Sequence, residues 1–318
     1  MCHQKNDMVI GRPGGHRCAM TDTTANQPSE ASRGFFFALT AYSLWGVQPI
    51  FMKLLAHIPA SEVVAHRVLW SLPIAGLVIW ALGRTADLKV ALRSPRTLVM
   101  AAVTAALISV NWGIYVWAIA VGRAVETALG YYINPLVSIV MGSVLLGEKL
   151  SVPQLVAVGL ACLAVAVLTV DAGGLPWVSL ALALSFAIYG FLRKTLPIGP
   201  SQGFFLEVLI LCLPALGYIL WLQSRGENHF VSVEPYDMML LVLCGPVTAI
   251  PLLFYAFSTK MLRLTTIGIM QYIAPSIVLL IAVFIFGEPF NRVTGVAFGL
   301  IWAALAIYTW SMFVTQRR

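Results

Sequence analysis

The chain has 318 residues, of which 59% are hydrophobic and only 10% charged, against roughly 25% charged in soluble domains. Such a sequence cannot cover its own surface in water, so its solvent is lipid. The formal charge of +7 is scattered in short stretches between apolar runs and makes no continuous basic face, which argues against a nucleic-acid partner.

Residues 1–33 are polar and rich in Gly, Pro, Ser and Thr, with no apolar core long enough for a secretory signal, and read as a disordered cytoplasmic tail with Met20 as an alternative start. Ten apolar runs follow, at 35–55, 64–83, 97–120, 124–146, 152–170, 174–193, 204–223, 237–257, 264–286 and 293–314. Each is near the ~20 residues that cross a ~30 Å hydrocarbon core. The expected fold is therefore an all-α, polytopic membrane protein with ten transmembrane helices. Ser61, Ser201, Ser151 and Asn291 are expected to cap helix starts, Gly147 and Gly287 to close helices, and Pro95 and Pro235 to lie in the polar loops ahead of theirs. Five cysteines give no disulfide framework, and Cys162, Cys212 and Cys244 read as small buried hydrophobes.

The chain is written twice. Tyr132-Ile133-x-Pro135 returns as Tyr272-Ile273-x-Pro275 and Gly147-Glu148 as Gly287-Glu288, at a shared offset of 140 that also pairs Ser61 with Ser201, Tyr115 with Tyr255 and Gly159 with Gly299. That divides the membrane part into 34–172 and 173–318, with five runs in each. Five is odd, so the second copy enters the bilayer from the opposite face. Two inverted five-helix repeats about an axis in the membrane plane let one half adopt the other's conformation and expose a central site to either side in turn. Of the twenty Lys and Arg, five (Lys53, Arg67, Arg123, Arg225 and Arg292) fall on one side, whereas the others share the side of both termini, which is therefore cytoplasmic.

Polar groups inside a bilayer are expensive and face a cavity or a partner helix. In the third run Asn111 and Tyr115 share a face, with Trp112 beside them; in the fourth, Tyr131, Asn134 and Ser138 form one stripe. The ninth run carries Gly268, Gln271 and Pro275 in the matching stripe, with Tyr272 adjacent, and the eighth carries Pro251 and Tyr255. One reading is a substrate cavity lined by Asn111, Trp112, Tyr115, Tyr131, Asn134, Tyr255, Gln271 and Tyr272, with Pro135 and Pro275 as hinges whose missing N–H groups break the helix. The other is that these groups only hydrogen-bond between helices, at ~0.6–2 kcal/mol each; for Ser138 packing is the better account.

Trp80, Trp177, Trp221 and Trp310 lie near helix ends, as an interfacial belt requires, while Trp45, Trp112 and Trp117 lie deeper and either stack on substrate or fill helix interfaces. Arg67, ~9 Å inside its helix, either snorkels outward, pairs with Glu62 or Glu126, or binds an anionic group of the substrate. Glu207 is its positional counterpart, on the cytoplasmic side. Glu148 and Glu288 read as structural caps of the loops between helices rather than proton carriers. There is no His-Glu-x-x-His motif, no paired intramembrane Asp and no phosphate-binding loop. The chain thus reads as no enzyme, with no metal site and no cofactor.

Several segments resemble the EamA-type drug/metabolite transporter superfamily and, within it, the RarD-like proteins. They are Ala65-His66-Arg67, Val110-Asn111-Trp112-x-x-Tyr115-x-Trp117-Ala118, Leu129-Gly130-Tyr131-Tyr132-Ile133-Asn134-Pro135-Leu136, Thr248-Ala249-Ile250-Pro251-Leu252 and Gly268 to Pro275. The resemblance covers residues 34 to about 315. It implies ten helices in two inverted EamA repeats, a bacterial inner-membrane location, and transport of a small organic solute. The expected function is a secondary carrier of a metabolite or drug working by alternating access. A scaffold or sensor without transport, and a channel-like facilitator, are the competing readings. The partners expected are the lipid bilayer and a small-molecule substrate, and homo-oligomerisation stays open.

Overall fold

A computed structural model describes residues 30–315 apart from 147–149, 173, 196, 232–234 and 263–269. The helices are α1 (Glu30–Leu54), α2 (Ala60–Ala81), α3 (Thr85–Leu92), α4 (Pro95–Ala120), α5 (Ala124–Leu146), α6 (Val152–Ala172), α7 (Trp177–Thr195), α8 (Pro200–Arg225), α9 (Pro235–Met261), α10 (Ile273–Leu280, continued by a π-helical stretch Ile281–Ile285) and α11 (Arg292–Thr315). The described residues contain no strand. The apolar runs fall on α1, α2 and α4 to α11, the ninth being described only from Met270 onward. Six helices, α1, α2, α4, α6, α8 and α9, are long and apolar enough to cross a membrane, and the apolar stretches of α7, α10 and α11 are shorter. The tail to residue 29, together with Gly147, Glu148 and Gly268, lies outside the described residues.

Helix ends follow local chemistry, not always as expected. Asn291 caps α11, its Oδ1 accepting the Thr294 N–H at 2.7 Å, and Gly287 takes the left-handed φ of +67° that lets the chain leave α10. Ser61 and Ser201 are not caps. Pro59 and Gly199 hold those positions, and the Ser61 hydroxyl instead meets Tyr218 Oη at 2.7 Å. Ser151 contributes its backbone N–H, to Gln154 Oε1 at 2.9 Å, rather than its hydroxyl. Pro95 and Pro235 open their helices rather than lying in the loops before them. A helix start suits proline, because its missing N–H has no intrahelical partner there. Helix α3 was not expected. Eight residues with an Asp and a Lys are too short and too charged to read as a span, yet Leu88 and Ala91 pack with Ala101 and Leu206 in a small apolar cluster.

Contacts repeat under the 140-residue offset. Helix α1 packs on α9 as its counterpart α7 packs on α4; α5 packs on α7 as α10 does on α1; α2 packs on α9 as α8 does on α4. Three further pairs, α2 with α8, α5 with α10 and α6 with α11, join a helix to its own counterpart. Each such pair is antiparallel. Ser61, at the start of α2, bonds Tyr218 late in α8, while Gly76, late in α2, faces the Phe205 ring near the start of α8. The first N–H groups of α5, on Ala124 and Val125, donate to the Glu288 carboxylate just beyond α10 at 2.7 and 2.8 Å. Further along α5, Tyr132 Oη meets Ser276 Oγ at 2.5 Å. Asn291 before α11 donates to Asp171 at the end of α6.

Lipid supplies no hydrophobic drive between helices, so close packing must hold them. Ala157, Ala161 and Ala164 of α6, spaced to share a face, are fully or nearly buried in one cluster with Ala297, Ile301 and Ala304 of α11. Gly130 brings α5 against α7, where an added Cβ would lie 2.8 Å from the Ser179 carbonyl oxygen.

The two copies of one segment differ in shape. In the first, Tyr131 and Tyr132 are within α5, which runs α-helical to Leu146; in the second, Gln271 and Tyr272 form a turn ahead of α10, whose last turn is π-helical.

Candidate substrate site

Arg67 is 3% exposed, in the eighth position of α2, where α2, α4 and α9 meet. It does not snorkel. Neither expected carboxylate reaches it: Glu62, fully buried, accepts the His229 backbone N–H at 2.8 Å and pairs with His229 Nδ1 at 2.7 Å, and Glu126 takes Arg123 Nε at 2.5 Å. Arg67 Nε donates instead to Thr248 Oγ1 at 3.1 Å, and the Thr248 hydroxyl donates on to the Cys244 carbonyl at 2.7 Å. The guanidinium lies 4.8 Å from the centre of the Trp112 ring. Its Nη1 has no hydrogen-bond partner among the described residues, nor has the hydroxyl of buried Tyr115. The Tyr115 ring is 6.0 Å from that of Tyr131, and both phenols are within electrostatic reach of Arg67. A buried charge without a counter-ion costs several kcal/mol, of which a desolvated cation–π contact returns about 2. The surroundings of Arg67 are therefore electropositive.

The other expected cavity residues do not join this group. Asn111 ties α4 to α7, its Nδ2 donating to the Leu182 carbonyl at 3.1 Å and to Ser185 Oγ at 2.8 Å. Asn134 accepts from Ser138 within α5 at 3.1 Å. Tyr255 packs its ring against Trp45 and Tyr42 of α1, at 5.6 and 6.1 Å. Tyr272 stacks on its own counterpart Tyr132 at 6.3 Å, with half-buried Gln271 in the same turn. These two tyrosines, with Ser276, Trp302, Leu305 and Trp310, line a cavity of about 650 Å³ between α5, α10 and α11. So the single cavity expected from sequence divides into an Arg67 group, a Tyr42–Trp45–Tyr255 group and a side cavity at Tyr132 and Tyr272. Pro135 lies inside α5. Pro275 lies in the first turn of α10, where no intrahelical bond is lost.

Glu207 is 2% exposed and accepts the Tyr189 O–H at 3.1 Å, with Arg193 Nη1 3.5 Å away. Trp117 belongs with the helix-end aromatics, 37% exposed and 5.4 Å from the Trp177 ring, with the Arg123 guanidinium beside both. Cys162 is exposed, against expectation, and Cys244 is buried. Glu288 caps α5, a helix start in the other copy rather than its own loop. Sequence reasoning missed Thr248, Tyr189 and Tyr42. The motif Thr248 to Leu252 held the first, but a threonine that back-bonds four residues earlier, as this one does to Cys244, gives no outward sign of a second partner.

Residues 32–170 match the EamA-like transporter family. Protein RarD of Streptomyces exfoliatus is 43% identical over 290 residues, 91% of this chain and 92% of that protein. Protein RarD of Escherichia coli is 37% identical over 290 residues, 91% and 98% of the two chains, and an uncharacterized transporter of Vibrio cholerae is 37% identical over 281, 88% and 93%. A crystal structure 20% identical in sequence superimposes with a TM-score of 0.57 over 87% of this chain and 96% of that one, which shows a shared fold. The chain belongs to the EamA-like transporter family, on its RarD-like branch, and is a multi-pass membrane transporter.

Proposed function

We propose that the chain is a secondary carrier of a small organic metabolite or drug, crossing the bacterial inner membrane ten times as two inverted five-helix repeats, 34–172 and 173–318, with both termini cytoplasmic. The observation that carries this reading is that helices related by the repeat are antiparallel neighbours, the arrangement in which one half can exchange conformations with the other. The unequal shapes of its two copies supply the exchange. The Gln271–Tyr272 segment is bent while Tyr131–Tyr132 is helical; in the opposite state the first copy bends and the second straightens. The Arg67 group lies between the copies, within α2, α4, α5 and α9, where such an exchange would expose it to each side in turn. The side chains present bind and orient; no covalent step is required.

The test is cysteine accessibility at the equivalent positions Asn134→Cys and Ala274→Cys, in protein whose native cysteines are replaced, labelled from each face of oriented vesicles. A carrier is labelled from one face at a time, and a transported solute changes the balance. Labelling from neither face identifies a scaffold, and simultaneous labelling from both identifies a channel.

A further inference from the structure

We infer that the transported solute carries an anionic group, a carboxylate or a group of like charge, that lies against Arg67 Nη1 and the Tyr115 hydroxyl. This deepens the carrier reading and rests on it. Among the described residues Arg67 is the one buried cation, and four acids are buried: Glu62, Glu207, Asp237 and Glu288. Every acid has a partner, respectively His229, Arg193, His57 and the α5 N–H groups. None of them pairs with Arg67. Glu148 and Glu234 lie outside the described residues. The guanidinium is thus left with one neutral hydroxyl, one ring face and an unpartnered nitrogen. Tyr115 adds a second donor without an acceptor, and the half-buried Tyr131 ring supplies an apolar wall beside it. A site with two free donors, a full positive charge and, among the described residues, no carboxylate of its own neutralises itself by taking an anion, and it repels an ammonium group.

The probes are acids and their neutral amides of nearly equal shape: acetate and acetamide, benzoate and benzamide, nicotinate and nicotinamide. Thermal unfolding of the full chain in detergent is followed at fixed ionic strength. At least one acid is expected to raise the melting temperature by roughly 5 °C near saturation and its amide to leave it unchanged. In Arg67→Met the difference disappears and the ligand-free protein melts higher than the parent, because an uncompensated charge has gone; Arg67→Lys keeps part of the acid preference. The inference is overturned when no acid exceeds its amide, when the preference survives in Arg67→Met, or when ligand-free Arg67→Met melts several degrees lower, which marks a structural arginine. Should Arg67→Met not insert, the parent and Tyr115→Phe decide: a preference present in the parent and weakened in Tyr115→Phe upholds the inference, and anything else overturns it. Cysteine accessibility of Asn134→Cys and Ala274→Cys in oriented vesicles separates the two proposals. Switching without acid preference removes only the substrate class, and absence of switching removes the carrier.

Discussion

Glu288→Ala opens the first turn of a helix in the other half of the molecule. The Glu288 carboxylate, 9% exposed, accepts the N–H groups of Ala124 and Val125 at 2.7 and 2.8 Å. Hydrogen bonds to a charged group contribute about 1.5–3 kcal/mol each, and an anion at a helix N-terminus adds about 0.3–1 kcal/mol. The three contributions act on one site and do not sum fully, so about 3–5 kcal/mol is expected. With 1 kcal/mol moving the melting temperature by about 2–4 °C in chains of a few hundred residues, the fall is about 10 °C. Glu288→Gln keeps one acceptor oxygen without the charge and should lose about half as much. Tryptophan fluorescence during thermal unfolding in detergent reads both. A Glu288→Ala protein melting within about 1 °C of the parent would falsify the capping assignment. Loss of transport in Glu288→Gln at unchanged melting temperature would mean that the carboxyl carries protons instead.

Gly130→Ala places a methyl 2.8 Å from the Ser179 carbonyl oxygen and 3.1 Å from its Cα. Neither is a flexible side chain, so α5 and α7 must separate, at about 1–3 kcal/mol, read as a lower melting temperature. Asn111→Leu removes two donors to α7 and should lose about 0.6–2 kcal/mol with solute preference intact; altered preference at an unchanged melting temperature would put Asn111 in the solute's path. Tyr132→Phe and Ser276→Ala, which break one contact across the two copies, should show a coupling of about 0.5–2 kcal/mol in a double-mutant cycle, whereas additive losses would mean the two hydroxyls do not interact. Arg123→Ala disrupts a half-exposed pair three residues apart and should cost under about 1 kcal/mol; a fall much beyond that would assign the arginine a larger role at the Trp117–Trp177 helix ends.

The repeat was legible because insertions had not blurred it: one offset pairs residues from Ser61 to Gly299, and the packing of helices obeys the same offset. Asn291 as a cap was legible because capping is decided within four residues. Ser61 and Ser201 were misread because Pro59 and Gly199 start those helices earlier, and a serine one residue inside a helix looks the same in sequence as one at its edge. The shared face of Asn111 and Tyr115 was correct, but a face does not name its neighbour. Asn111 meets Ser185, 74 positions away, and Tyr115 meets Tyr131. Arg67 shows the same limit from the other side. Its candidate acids were visible, and Glu126 has Arg123 three residues before it, but the capture of Glu62 by His229 was not legible, because that depends on which loop folds over which helix.

The bond from Glu288 to the start of α5 joins groups 164 residues apart in the chain. While the protein is being made, α5 therefore enters the bilayer with its leading amide groups unanswered and waits for most of the remaining chain to emerge from the ribosome. The first half produced alone should be recognised as unfinished and degraded, while co-expression with the second half should rescue it, since the missing carboxylate need only arrive and does not have to be covalently attached.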